Sequence, residues 1–144
     1  MFLGEYSHSL DSKGRLTIPA KFRDQLAAGL VVTRSPQDPC LLVMPQARWE
    51  VMAEKINNLP ITDRSSALLR RAIFTAAEDF KPDRQGRILI SQRLRDYAHI
   101  QTDIVIAGVH TFIELWHPDL WQERVVKMLE SGTIDGELFA ALGI

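Results

Sequence analysis

The sequence has 144 residues, 46% of them hydrophobic and 24% charged, with 8 Gly, 7 Pro and one cysteine. That composition excludes wholesale disorder, and the length fits one domain or two small modules that share a core. The net charge of −1 hides an asymmetry: residues 1–100 hold fifteen Lys/Arg against eleven Asp/Glu, and residues 101–144 hold two against seven. This excludes a uniformly basic coat for nucleic acid and leaves room for a local basic face. Cys40, being alone, allows no intramolecular disulfide and no multi-cysteine zinc site. It reads as the reduced thiol of a cytosolic protein. No apolar run is long enough to span a membrane. The opening Met-Phe-Leu-Gly-Glu-Tyr has neither the basic leader nor the apolar stretch of a signal peptide, so a cytoplasmic protein is expected.

In chain order, residues 4–10 read as a strand, and Arg15 to Ile18 alternates, with Leu16 and Ile18 on one face and Arg15 and Thr17 on the other. Pro19 fits the first turn of a short helix with Phe22 and Leu26 on one face, and Gly29 is its stop. Strands are expected at Leu30 to Thr33 and Leu41 to Pro45. Pro45 then opens a helix with Trp49, Met52, Ala53 and Ile56 at helical spacing. Thr62 or Asp63 caps the next helix, where Leu68, Leu69, Ala72, Ile73 and Ala76 form a core stripe and Arg64, Arg70 and Arg71 take other faces. A strand at 76–82 is followed by a second strand, a short helix, and strands at Ile104 to Gly108 and Phe112 to Trp116. Pro118 opens a helix with Trp121, Val125, Met128 and Leu129, and Asp135 starts a short last helix reaching Leu142. Trp49 and Trp121 lie on apolar stripes and read as core or subunit interface rather than base-stacking platforms. Met44, Met52 and Met128 read as core filler.

A duplication organises these elements. Asp11 to Asp24 reads DSKGRLTIPAKFRD, and 72 residues later Asp83 to Asp96 reads DRQGRILISQRLRD. Six of the fourteen positions are identical, without a gap, where average composition gives about one by chance. Each half repeats strand, short helix, strand, turn, strand, helix. Neither half has sheet enough to bury its own apolar face, so the two are expected to close on each other about a pseudo-twofold axis. The expected body is α+β and barrel-like, with helices at its periphery. Its modules span residues 1–60 and 77–130, joined by a helix at 61–76 and followed by a tail at 131–144.

The repeated loop is Asp-x-x-Gly-Arg. Asp11 and Asp83 can accept from backbone N–H groups two residues on, closing an Asx-type turn. Gly14 and Gly86 permit positive φ where the chain bends. Arg15 and Arg87 begin the next strand on the face opposite Leu16 and Ile88, so each projects from a rigid base. An arginine mounted in this way can chelate guanine O6 and N7 or clamp a phosphate. Lys13, Arg84, Lys21, Arg93, Arg23 and Arg95 add basic groups near both copies. An internal Asp–Arg salt bridge that closes the turn is the purely structural alternative, and the two readings can coexist.

The run DSKGRLTIPAKFRD resembles the looped-hinge, AbrB/SpoVT-type DNA-binding module. Two such modules in one chain, with MFLGEYSHSLDSKGRLTIP, CLLVMPQARWE and VIAGVHTFIELW, resemble the MraZ family of bacterial transcriptional regulators over residues 1 to about 130. The resemblance implies a double-psi-like or swapped-hairpin barrel built from both modules and a ring of subunits. It also implies nucleoid association and binding to short direct repeats in double-stranded DNA. Those repeats would lie upstream of the division and cell-wall gene cluster, which includes the regulator's own gene, with a mainly repressing effect. Carried over residue by residue, Lys13, Gly14, Arg15, Arg84, Gly86 and Arg87 form the DNA-binding loops, and Asp11 and Asp83 position them. Two departures stand out. Ser91 replaces the proline expected opposite Pro19, which predicts a less sharp start to the second short helix. Gln85 stands opposite Lys13, which predicts unequal loops.

The rival class is an antitoxin-like, protein-binding module of the same fold, for which the acidic C-terminal segment is the natural surface. Two complete modules in one chain argue against it. An enzyme is disfavoured. His8, His99, His110 and His117 form no His-x-x-x-His pair, and the chain has no phosphate-binding Gly-rich loop, Ser-His-Asp signature or Cys-His partnership. No cofactor or metal is expected.

Overall fold

The computed structural model describes residues 1–132 and 134–144. Its first half comprises β1 (Phe2–Ser9), β2 (Arg15–Thr17), α1 (Ala20–Leu26), β3 (Leu30–Arg34), β4 (Leu41–Pro45) and the helices α2 (Gln46–Asn57) and α3 (Arg64–Ala76). The second repeats the order with β5 (Glu78–Phe80), β6 (Arg87–Leu89), α4 (Gln92–Ala98), β7 (Asp103–His110) and β8 (Ile113–Trp116). It continues into α5 (Pro118–Trp121), a π-helical stretch (Gln122–Val126), α6 (Lys127–Glu130) and α7 (Gly136–Ala140).

The strands form an antiparallel six-stranded sheet, ordered β1-β7-β8-β4-β3-β5, and a two-stranded ribbon of β2 and β6. Exchanging each strand for its counterpart in the other half reverses the order of the large sheet and leaves it unchanged. The pseudo-twofold axis therefore passes between β4 and β8 and through the ribbon. There Leu16 pairs with Ile88, its own counterpart 72 residues on. The first strand of each half pairs with the third strand of the other: β1 with β7, and β5 with β3. The halves thus exchange strands and share one fold. The ladder itself stays open, because β1 and β5 are its two edges, so the expected closed barrel is not formed by hydrogen bonding.

Alternation along the strands divides the core. Leu30, Val32, Leu41, Val43, Ile104, Ile106, Ile113 and Leu115 face inward, onto Leu16, Ile18, Ile88 and Ile90 of the ribbon segments and Phe22, Leu26, Leu94 and Ala98 of α1 and α4. All are buried in one cluster. The other face carries Val31, Thr33, Met44, Val105 and Trp116, also buried. On the first half it is covered by α2 and α3, where Thr33 Oγ1 donates to the Ile73 carbonyl at 2.7 Å and Trp49 meets Phe74 edge-on at 5.8 Å. On the second half Trp116 meets Trp121 at 5.8 Å, with Leu120 and Val125 beside it. Trp49, Trp116 and Trp121 are thus packing residues of the helical layer.

Three sequence expectations change. Leu68 is 66% exposed and leaves the core stripe of α3, which docks instead through Ile73 and Ala76. Met128 and Leu129 are about half exposed rather than core. The π-helical stretch ahead of them rotates the following turn off the face that Trp121 and Val125 bury. Ser91 does not blunt the start of α4. Its Oγ accepts from the Leu94 N–H at 3.3 Å and donates to Glu78 Oε2 at 2.9 Å, a cap that Pro19 cannot supply to α1. Asp63 and Asp135 cap α3 and α7 as expected.

Candidate nucleic-acid interface

Both Asp-x-x-Gly-Arg loops sit at the ribbon, one leading into β2 and the other into β6. In the first, Asp11 Oδ1 accepts from the N–H groups of Lys13 and Arg15, each at 2.9 Å, and Oδ2 accepts from Arg15 Nε at 2.7 Å. The backbone closes the same turn: Gly14 N–H donates to the Asp11 carbonyl and Asp11 N–H to the Arg15 carbonyl, both at 3.0 Å. The second loop repeats every bond. Asp83 Oδ1 accepts from Gln85 and Arg87 N–H at 2.9 Å, and Oδ2 accepts from Arg87 Nε at 2.8 Å. These bonds favour the charged carboxylate. The Arg15 N–H above all, with the Arg15 side chain and the Lys13 N–H, holds Asp11 down at about 2. Asp83 is lowered for the same reasons, led by the Arg87 N–H.

The salt bridge expected as a structural alternative is therefore present. It uses Nε alone, and the Arg15 and Arg87 side chains remain 32% and 26% exposed. The aspartate thus steers the guanidinium without covering it, which leaves its terminal nitrogens open to a ligand.

Beneath the loops lies a crossed brace. Gly14 and Gly86 are buried, with φ of +84° and +74°. The Gly86 carbonyl accepts from Ile18 N–H at 2.8 Å, and the Gly14 carbonyl from Ile90 N–H at 2.9 Å, so each loop is tied to the strand end of the other half. Arg23 Nε donates to the Ile18 carbonyl and Arg95 Nε to the Ile90 carbonyl, both at 3.0 Å. Arg23 lies across Gly86 and Arg95 across Gly14, so close that a Cβ at Gly86 would stand 2.6 Å from Arg23 Nε. These two arginines, read from sequence as additional basic groups, are the struts under the loops. Their identity in both repeats was the signal for that role. Arg93 is likewise engaged, paired with Glu78 at 3.0 Å.

The ribbon brings the two loops onto one surface. Leu16 and Ile88 point into the core, while Arg15, Thr17, Arg87 and Leu89 lie on the opposite side, with Arg15 opposite Leu89 and Thr17 opposite Arg87. Arg15, Arg87 and Leu89 line one shallow depression of about 320 Å³. Lys13 and Arg84 are exposed on the loops and carry no ion pair among the described residues. Each loop therefore presents one such base, displaced by one position: Lys13 where the second loop has Gln85, and Arg84 where the first has Ser12.

Among the described residues no three His, Cys, Asp or Glu side chains group to hold a metal ion, and no helix is long and apolar enough to cross a membrane. Cys40 is buried in the helical layer, and burial pushes its thiol up to about 12.

The family model described as the MraZ protein, antitoxin-like, matches this chain twice, over residues 1–72 and 73–137. The chain is 46% identical over 144 residues to the transcriptional regulator MraZ of Herpetosiphon aurantiacus, spanning 100% of both proteins. It is 44% identical over 142 residues to that of Roseiflexus castenholzii, spanning 99% of both. To that of Carboxydothermus hydrogenoformans it is 45% identical over 121 residues, 84% of each. With the family matched in both repeats and relatives alike from end to end, this chain belongs to the MraZ family of transcriptional regulators.

Proposed function

We propose that the chain is a sequence-specific DNA-binding regulator of transcription whose contact surface is the β2–β6 ribbon with its two loops. One observation carries the reading: two arginines, each steered by its own aspartate, stand on one side of a short antiparallel ribbon. A two-stranded ribbon fits the major groove, where arginine pairs with guanine O6 and N7. Lys13 and Arg84 flank the pair and suit phosphates. Asp11 and Asp83 act by positioning, and Gly14 and Gly86 by letting the loops turn.

The names of the relatives support regulation of transcription. The finer reading rests on the family resemblance. It comprises repression of the division and cell-wall cluster including the regulator's own gene, short direct repeats as operator, a ring of subunits, a swapped-hairpin barrel as fold type, and residence at the nucleoid. The strand exchange supports that fold type, and the charge split supports an arrangement with the acidic segment after residue 100 away from DNA.

Gel-shift titration of duplex DNA from upstream of the chain's own gene, at several salt concentrations, tests the reading. Affinity should fall steeply with salt as Lys and Arg displace counterions, and Arg15→Ala should weaken binding with the melting temperature unchanged. A flat salt response, or a variant that unfolds without a separable binding defect, overturns it in favour of a protein partner.

A further inference from the structure

The four side chains on the outer side of the ribbon do not obey the pseudo-twofold. Arg15 and Arg87 are counterparts, whereas Thr17 is matched by Leu89. Leu89 is 52% exposed, directly opposite Arg15 in the ladder, and lines the same depression as both arginines. The inward positions of the ribbon are already filled by Leu16 and Ile88, each 2% exposed, so Leu89 is not needed to complete the core. A leucine left half in water beside two cations has nothing to offer a phosphate or a base-edge donor or acceptor. In the major groove the complementary apolar feature is the C5-methyl group of thymine.

We infer that Leu89 is a specificity-determining residue that packs on a thymine methyl next to the base contacted by Arg15, while Thr17 makes a less exacting contact beside Arg87. The inference rests on the ribbon being the DNA-facing surface. It follows that the two ends of a site bound by one chain are read differently, so the site has a direction although the scaffold beneath it is nearly twofold. Lys13/Gln85 and Ser12/Arg84 also break the symmetry, but in the loops; on the outer side of the ribbon itself the Thr17/Leu89 pair is the difference.

Leu89→Ser removes the apolar group from the outer side of the ribbon without touching the core. The full-length wild type and this variant are each used to select duplexes from a randomised library. The expected outcome is a directional motif with a thymine beside one guanine for the wild type, and a motif lacking that thymine for the variant. Deoxyuridine in place of that thymine removes only the methyl group. It should weaken wild-type binding about fourfold, the equivalent of one buried methyl, and leave the variant indifferent. Identical motifs from both proteins, or no response of the wild type to deoxyuridine, overturn the role of Leu89 while DNA binding stands. A variant whose assembly mass changes with its motif intact assigns Leu89 to a protein contact and also overturns it. If the wild type enriches no duplex at all, the DNA reading fails first.

Discussion

The loops Asp11–Arg15 and Asp83–Arg87 have the same hydrogen-bonded backbone and different outward chemistry. Both carboxylates accept the same three bonds, both glycines turn at positive φ, and both carbonyls tie to the opposite half. Around that common frame, Ser12 in one repeat corresponds to Arg84 in the other, Lys13 to Gln85, and Thr17 to Leu89. The frame needs particular atoms at particular places, so a duplicated sequence keeps them. The projecting groups face solvent or a ligand and are free to differ. The loop geometry is thus a shared mount, and the halves differ in outward chemistry through what is mounted on it.

The sharpest way to compare the two is to remove each arginine. Arg15→Ala and Arg87→Ala should each lower affinity for a selected duplex by ~10- to 100-fold, in line with ~1–3 kcal/mol for a bidentate base contact. The double variant should lose the product of the two. Fluorescence anisotropy titration reads all three, and a single variant as defective as the double would mean that only one loop carries recognition.

Next comes the mount itself. Gly86→Ala and Gly14→Ala both force a Cβ into the left-handed region, a strain of ~1–2 kcal/mol. At Gly86 the new methyl would also lie 2.6 Å from Arg23 Nε and drive it from the Ile18 carbonyl, whereas at Gly14 the nearest atoms of Arg95 stand at 3.1 Å. Gly86→Ala should therefore destabilise by ~2–3 kcal/mol and Gly14→Ala by ~1–2, adding the ~1 kcal/mol of a hydrogen bond in the first case. Urea unfolding measures both, and equal losses would remove the asymmetry of the brace.

A smaller effect separates turn closure from arginine steering. In Asp11→Asn and Asp83→Asn the side-chain oxygen can still accept the two backbone N–H groups, but the amide nitrogen cannot accept from Nε. The fold should survive, and duplex affinity should fall on the order of 3- to 10-fold as the guanidinium loses its fixed aim. Anisotropy together with the melting temperature separates the two losses.

The smallest effect is in pH. Asp11 is held at about 2 against its ordinary 3.8, a depressed value, so its support of the loop is complete above 3.8 and is lost as pH falls through about 2. Asp83 is shifted in the same direction. Carboxyl carbon shifts followed by NMR should place the Asp11 midpoint well below 3.8. A midpoint near 3.8 would mean that the first loop is open in solution.

Much of this was legible in the residues. The 72-residue offset, the Asp-x-x-Gly-Arg turns and the alternation that turns Arg15 and Arg87 away from the core depend on local spacing, which a sequence displays directly. The pairing of β1 with β7 and of β5 with β3 was not legible, because periodicity says which side of a strand is buried and not which strand lies beside it. The role of Arg23 and Arg95 was only half legible for a related reason. Charge placed them among the basic groups beside the loops, and only the close approach over Gly86 and Gly14 shows them also as struts. Met128 moved outward through the π-helical stretch, whose extra residue per turn no helical pattern announces.

The strand exchange also bears on synthesis. β1 occupies Phe2–Ser9, and the strand that completes it is Asp103–His110. About a hundred residues separate the two, and at roughly 5–20 residues per second the first strand waits some 5–20 s for its partner to be translated. The ribbon is delayed in the same way, since β2 needs Arg87–Leu89. A ribosome-bound chain that has released only its first half therefore carries one arginine loop with neither the ribbon partner nor the Ile90–Gly14 tie that holds it. The proposed DNA-facing surface is therefore completed late and all at once, with the closing strands of the second repeat.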